Sequence, residues 1–251
     1  MVFAESERGP GSESTERGEL PRHGFQGNRA PPPAPSGVPA SITVAVSREA
    51  GSRGNTIGSR AGLRLGWPVY NQELLQHVAH EGARQNLTDN ISDAARNRIE
   101  VRLHRVLEES NLSQCPAMIE LARLILALAA QGDVVLIGRG AGFILPAEST
   151  LHVRITAPVA DRVAYISQWL RLTREQAAEQ VRVRDQRRAD FLNSHFRRQP
   201  SDVHQYDLVL NSSLLGEDLC ADLIVRAARA KLAAHGRVED SPRVVPAPAD
   251  Y

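Results

Sequence analysis

Three stretches of this 251-residue chain carry residue types that can handle phosphate. The first is Arg48-Glu49-Ala50-Gly51-Ser52-Arg53-Gly54-Asn55-Thr56, which follows the apolar run Ile42–Ser47 and opens into Ser59–Leu65. Glycines, a threonine and the start of a helix present backbone N–H groups and a positive dipole end to an anion. The match to the phosphate-binding signature G-x-x-x-x-G-K-[ST] is partial. Gly51, Gly54 and Thr56 fall where a phosphate cradle wants them, but Gly54 stands in the lysine's place and Arg48 in that of the first glycine. An ordinary strand-to-helix turn has a similar composition, and the loop alone does not choose between the two.

The second stretch, Gly138-Arg139-Gly140-Ala141-Gly142, follows the apolar run Val134–Ile137. Its glycines permit close approach to the backbone, and Arg139 offers a planar fork to a phosphate or carboxylate. A glycine-rich turn with a solvated arginine is the plainer reading. A dinucleotide-binding fingerprint is disfavoured: Pro146 interrupts the next segment, and no acidic residue ends the next strand at Arg154–Thr156. The third stretch is Arg182-Val183-Arg184-Asp185-Gln186-Arg187-Arg188. At helical spacing Arg182 and Asp185, Asp185 and Arg188, and Arg184 and Arg188 share a face, so one carboxylate can orient several guanidinium groups. Phosphoryl transfer calls for such positive charge and little covalent help. A solvated helix laced with surface ion pairs has the same pattern.

These stretches lie at the ends of elements whose pattern is clear. Val69-Tyr70 reads as a short strand, with Asn71 capping a helix to about His80. One helix is expected over much of 84–113, and Met118–Gln131, apolar nearly all round, reads as a buried helix. Val134–Ile137 is a strand covered on both faces, whereas the alternation in Leu151–Ile155 predicts a strand less completely covered. Pro158 opens a helix, Thr173 and Gln176 form a capping box for a charged helix to about His195, and Tyr206–Leu210 is a last strand before a helix over Gly216–Ala234. Strands alternating with helices specify an α/β protein whose parallel sheet binds ligands at the carboxyl ends of its strands.

Whole-chain properties narrow the field. With 42% hydrophobic and 24% charged residues and a net charge of +1, the chain is a globular protein not built for bulk attraction to nucleic acid. Cys115 and Cys220 lack metal-ligand spacing and read as free thiols of a reducing cytosol. No apolar run approaches the ~18 residues of a membrane span, and none resembles a signal peptide. Residues 1–40 and 236–251, rich in Gly, Pro and charge, are expected to be disordered tails around one folded domain over 41–235.

In series, ITVAVSREAGSRGNTIG, LGWPVYNQELL, VVLIGRGAG, LHVRITAP with Asp161-Arg162, RVRDQRR and YDLVLNSS resemble the cytidylate kinase-like family. These are relatives of cytidylate kinase among the P-loop nucleoside monophosphate kinases, and the resemblance spans about 42–232. It implies a three-layer α/β/α P-loop kinase fold, with a mainly parallel five-stranded sheet and an arginine-bearing helical lid. It further implies ATP and Mg2+: Gly51, Ser52, Arg53, Gly54, Asn55 and Thr56 would hold the donor phosphates, Thr56 contacting the metal. Arg139 and Gly140 would face the acceptor monophosphate, which is approached along Tyr70–Leu75. Arg182, Asp185 and Arg188 would be catalytic lid residues, and Asn211 and Ser212 would lie beside the adenine. Two departures stand out. The loop has Arg53 for the first glycine of the pair that replaces the lysine in this branch, and Gly140 for the aspartate of cytidylate kinase proper. The expected activity is cytosolic ATP-dependent phosphoryl transfer to a nucleoside monophosphate, CMP or dCMP. The alternatives are a nucleotide-binding regulatory module and a kinase with a non-nucleotide acceptor.

Overall fold

The computed structural model describes residues 41–80 and 91–240. The expectations for residues 1–40, for 241–251 and for the helix over 84–90 lie outside the described residues. Five strands, β1 (Thr43–Arg48), β2 (Val69–Tyr70), β3 (Val134–Ile137), β4 (Thr150–Thr156) and β5 (Leu208–Asn211), form one sheet. Between them run α1 (Gly54–Leu65), α2 (Gln72–His80), α3 (Asp93–Glu109), α4 (Pro116–Ala130), α5 (Ala141–Ile144), α6 (Val159–Leu170) and α7 (Arg174–Phe196); α8 (Ser212–Asp240) follows β5.

The strand order is β2-β3-β1-β4-β5, and every pairing is parallel. From central β1 the chain first builds one flank, β2 and β3, and then crosses to build the other, β4 and β5. The carboxyl end of β1 is therefore the switch point, where a crevice opens between diverging connections. Arg48 ends β1 there, paired in register with Ile155 of β4, while Val46 pairs with both Ile137 and Val153.

Two apolar layers hold the sheet. On one face Ala45, Val134 and Leu136 pack with Leu103, Leu121, Ile125, Leu128 and Ile144 from α3, α4 and α5. On the other, Val44, Val46, Val135, Val153 and Ile155 pack with Ile57 of α1 and Ala221, Ile224 and Ala228 of α8. The near-uniform apolarity of the Met118–Gln131 run is explained by this burial. Ile125 is fully buried, and truncating it to alanine is expected to cost about 2–5 kcal/mol. A third, smaller cluster of Ala50, Val163, Ile166, Ala177 and Val181 joins α6 and α7 into a hairpin against the loop after β1.

Local signals act as expected at several ends. Asn71 Oδ1 accepts from the Leu74 N–H, and Thr173 and Gln176 make the reciprocal capping box of α7. Two expectations need correction. β4 is not a partly covered strand: it is paired on both sides, and His152 is 6% exposed. Its alternation separates an apolar face from a polar face that is also covered, by Phe143, Tyr206 and the chain around Gln205. The last helix begins at Ser212 rather than Gly216, which marks a break inside it (φ 76°, ψ 167°), and it ends at Asp240 rather than Ala234.

Candidate functional site

The connection from β1 to α1 is a tight cradle. Gly51 has φ +81°, and a Cβ there would meet the Arg162 carbonyl at 2.7 Å, so only glycine fits. Arg53, also left-handed (φ 59°), precedes α1, whose first turn is capped by no side chain. Its N–H groups are thus left for a ligand. Ser52 is fully buried and turned away from the cleft: its hydroxyl donates to the Glu49 carbonyl, and its own carbonyl accepts from Ser212 Oγ.

Charged residues brace this loop from behind. Glu49 takes Arg154 at 3.3 Å, Arg162 at 3.4 Å and the Ala157 N–H at 3.2 Å. Asp185 of α7 accepts the Ala50 N–H at 2.7 Å, binds the Arg162 guanidinium through its other oxygen, and lies 3.4 Å from Arg188 Nη1. Arg162, only 6% exposed, also donates to the carbonyls of Ala50 and Ala157. Asp185 therefore orients an arginine, as its spacing suggests, and in addition ties α7 to the loop.

Between the loop, the turn after β3 and α7 lies an open cleft of about 1280 Å³. Gly51, Arg53, Gly54, Asn55, Thr56, Arg139, Gly140, Arg182, Asp185 and Arg188 all line it. Gln72 and Glu73 of α2 do too, within the Tyr70–Leu75 run along which the resemblance implies the acceptor's approach. Ser52, Asn211 and Ser212 do not. The Asn211 carboxamide caps the first turn of α8 through the N–H groups of Ser213 and Leu214, and Ser212 Oγ engages the carbonyls of Ser52 and Thr156. Arg182 lines the cleft, but its guanidinium is held by Glu179 at 2.6 and 2.8 Å, not by Asp185.

The electrostatics of the cleft are unusual. Burial pushes the Arg48 guanidinium down to about 10, and the nearby positive charges of Arg188 and Arg139 act in the same direction while Glu73 opposes them. Burial also lowers Arg188, with Asp185 opposing, and Arg139, with Glu73 opposing. Arg139 Nε is buried without a hydrogen-bond partner among the described residues. Arg48 thus occupies a partly desolvated space in which the positive charges of Arg188, from α7, and Arg139, from the turn after β3, repel it. A polyanion relieves that repulsion.

Sequence reasoning passed over several of these residues. Arg48 was visible only as an intruder in a glycine's place, and Arg162 only as half of a motif. Arg154 carried the one usable signal, a charge inside a strand whose alternate residues are apolar. Glu49, Glu73, Tyr165 and Trp169 carried none, because helical or loop periodicity does not say which polar or aromatic side chain turns into a cleft.

A tight glycine-bearing loop at the switch point of a parallel five-stranded sheet, with an arginine-bearing helical hairpin beside it, defines a three-layer α/β/α kinase-type fold. The profile of the cytidylate kinase-like family matches residues 43–214. The chain belongs to that family. An uncharacterised protein from Eubacterium ventriosum has the same fold, with a TM-score of 0.59 at 17% identity over 76% of this chain and 99% of its own. A shikimate kinase from Bacteroides thetaiotaomicron superposes at 0.43 with 11% identity, over 76% and 98% of the two chains, too weakly to add to that comparison. A uronate isomerase from Corynebacterium glutamicum is 30% identical over 116 residues, 46% of this chain but 22% of that protein, so the chain spans a minor part of its length. Family membership makes the chain kinase-like. No helix among the described residues is long and apolar enough to cross a membrane.

Proposed function

We propose that this protein transfers a phosphoryl group from ATP to a nucleoside monophosphate, CMP or dCMP, in the cytosol. The observation that carries this reading is the convergence of Arg48, Arg139 and Arg188 on one cleft beside an uncapped helix start. In the proposal the Gly51–Thr56 loop holds the donor phosphates and Arg139 faces the acceptor phosphate. Arg188, held by Asp185, neutralises charge as it moves between the two. Arg182 joins it if the lid closes and Glu179 releases it.

The residues present fit a magnesium nucleotide. The Thr56 hydroxyl has no hydrogen-bond partner among the described residues, and those residues contain no group of three or more His, Cys, Asp or Glu that could hold an ion alone. Mg2+ would therefore be held by the nucleotide phosphates with Thr56 as the protein contact, and would supply charge neutralisation at the phosphoryl group. Positioning is left to the protein. The hairpin of α6 and α7 lies beside the cleft and would exclude water, so that transfer outruns hydrolysis.

One observation favours a different acceptor. At Gly140 (φ +71°) a Cβ would overlap the Phe196 ring, so the aspartate of cytidylate kinase proper has no room here. Phosphoryl transfer to a non-nucleotide hydroxyl compound is the second reading. A coupled ADP-release assay with every nucleoside monophosphate, and with small polyhydroxy acceptors, separates the two. Release with CMP or dCMP well above background hydrolysis is expected. Release only with a non-nucleotide acceptor selects the second reading, and ATP binding without release to any acceptor leaves a regulatory nucleotide-binding module.

A further inference from the structure

We propose that Tyr165 and Trp169 of α6 form the stacking platform for the base of the donor nucleotide, a proposal that rests on the ATP reading above. Trp169 is 63% exposed, an unusual state for so large an apolar surface. Its ring lies nearly parallel to that of Tyr165, 13° apart with centroids at 6.4 Å, and both line the cleft that holds the phosphate cradle. Arg53, which belongs to the cradle, lays its guanidinium over the Tyr165 ring at 5.0 Å. One arginine side chain therefore connects the phosphate loop to the aromatic surface.

The spacing suits a nucleotide. Gly51 abuts the backbone of Arg162, and Trp169 lies seven residues further along α6, about 10 Å at 1.5 Å per residue. A ribose and its phosphates bridge such a gap, so a nucleotide anchored in the loop can lay its base on the indole. Exposed aromatic rings flanked by arginine are a sequence-tolerant surface for bases, each of which has a π-face. The position expected from the family, Asn211 and Ser212, is occupied otherwise: their side chains cap α8 and tie the loop to β4, and neither lines the cleft. Exposed Val159 (59%), at the start of α6, also lines the cleft.

The test compares ATP with inorganic tripolyphosphate, which can occupy the cradle but carries no base. Both are titrated with Mg2+ into the full chain by calorimetry, for wild type, Trp169→Ala and Trp169→Phe. ATP affinity is expected to fall roughly tenfold in Trp169→Ala and to recover largely in Trp169→Phe, with tripolyphosphate unchanged throughout. In a Trp67→Phe background, where Trp169 is the remaining tryptophan, ATP but not tripolyphosphate should change the indole emission. Equal loss for both ligands, or loss for neither, overturns the platform while leaving the phosphate site intact. Wild type that binds neither ligand overturns the phosphate reading and the platform with it.

Discussion

Asp185 accepts a hydrogen bond from the Ala50 N–H at 2.7 Å, joining α7 to the loop after β1 across 135 residues of chain. The second carboxylate oxygen binds Arg162, which in turn carries the loop carbonyl of Ala50. One carboxylate thus sets both the shape of the loop and the approach of α7 to it.

Asp185→Asn keeps an oxygen for the Ala50 N–H and loses the charge that holds Arg162 and Arg188. Asp185→Ala loses both. Because Asp185 is partly exposed and Arg162 retains Glu49, the alanine variant is expected to lose about 1.5–3 kcal/mol in urea unfolding. The asparagine variant should lose less stability yet still transfer slowly. Equal stability of all three proteins would remove Asp185 from its role as a tie.

Arg188→Ala should lower the rate of phosphoryl transfer far more than ATP affinity. Its guanidinium is useful chiefly where charge moves between donor and acceptor oxygens. An arginine supplied to such a transition state is worth roughly 10³-fold or more in phosphoryl-transfer enzymes. Single-turnover transfer and equilibrium ATP binding, measured with helix content checked by circular dichroism, distinguish this from a solubility role, in which neither would change.

Gly140→Ala should be strongly destabilising despite its small size. The position combines a left-handed backbone with a Cβ site already filled by Phe196. The companion Phe196→Ala/Gly140→Ala double variant should recover the steric part and keep the backbone part. Thermal midpoints in a double-mutant cycle measure the coupling, and strict additivity would show that the ring does not limit this site.

His152 is held neutral inside the sheet. Burial pushes its imidazole down to about 4; Nδ1 lies 2.9 Å from the Gln205 carbonyl and Nε2 lies 3.1 Å from Ser47 Oγ. The unfolded chain takes up a proton near 6.5 and the folded chain does not until about 4. The stabilisation is therefore whole above about pH 6.5 and is lost as pH falls toward 4, by an amount on the order of 3 kcal/mol. His152→Gln should flatten the pH dependence of unfolding in that window. An unchanged slope would mean that the imidazole is already protonated in the folded protein.

The elements of this fold were legible because their signals are local. Asn71 and Thr173 cap the helices that follow them, Val134–Ile137 is apolar without a break, and Gly51 and Arg139 sit on turns that the chain's own glycines announce. The chemistry-bearing stretches were legible for the same reason, and the fold brings most of them to one cleft. What the sequence could not convey is which charges meet. Arg162 looks like any helix arginine, yet it is buried against Glu49 and Asp185. Arg182 looks equivalent to Arg188, yet one pairs along its helix with Glu179 while the other turns toward Arg48. Asn211 and Ser212 sit at a strand end where a ligand was expected, and their polar atoms are used by the backbone instead. Periodicity along one helix or strand sets which side chains share a face, whereas the partner of a charge is set by the packing of elements about a hundred residues apart. That packing also decided the space at Gly140 and the exposure of Trp169, because each depends on the path of α6 and α7 rather than on neighbours in the chain.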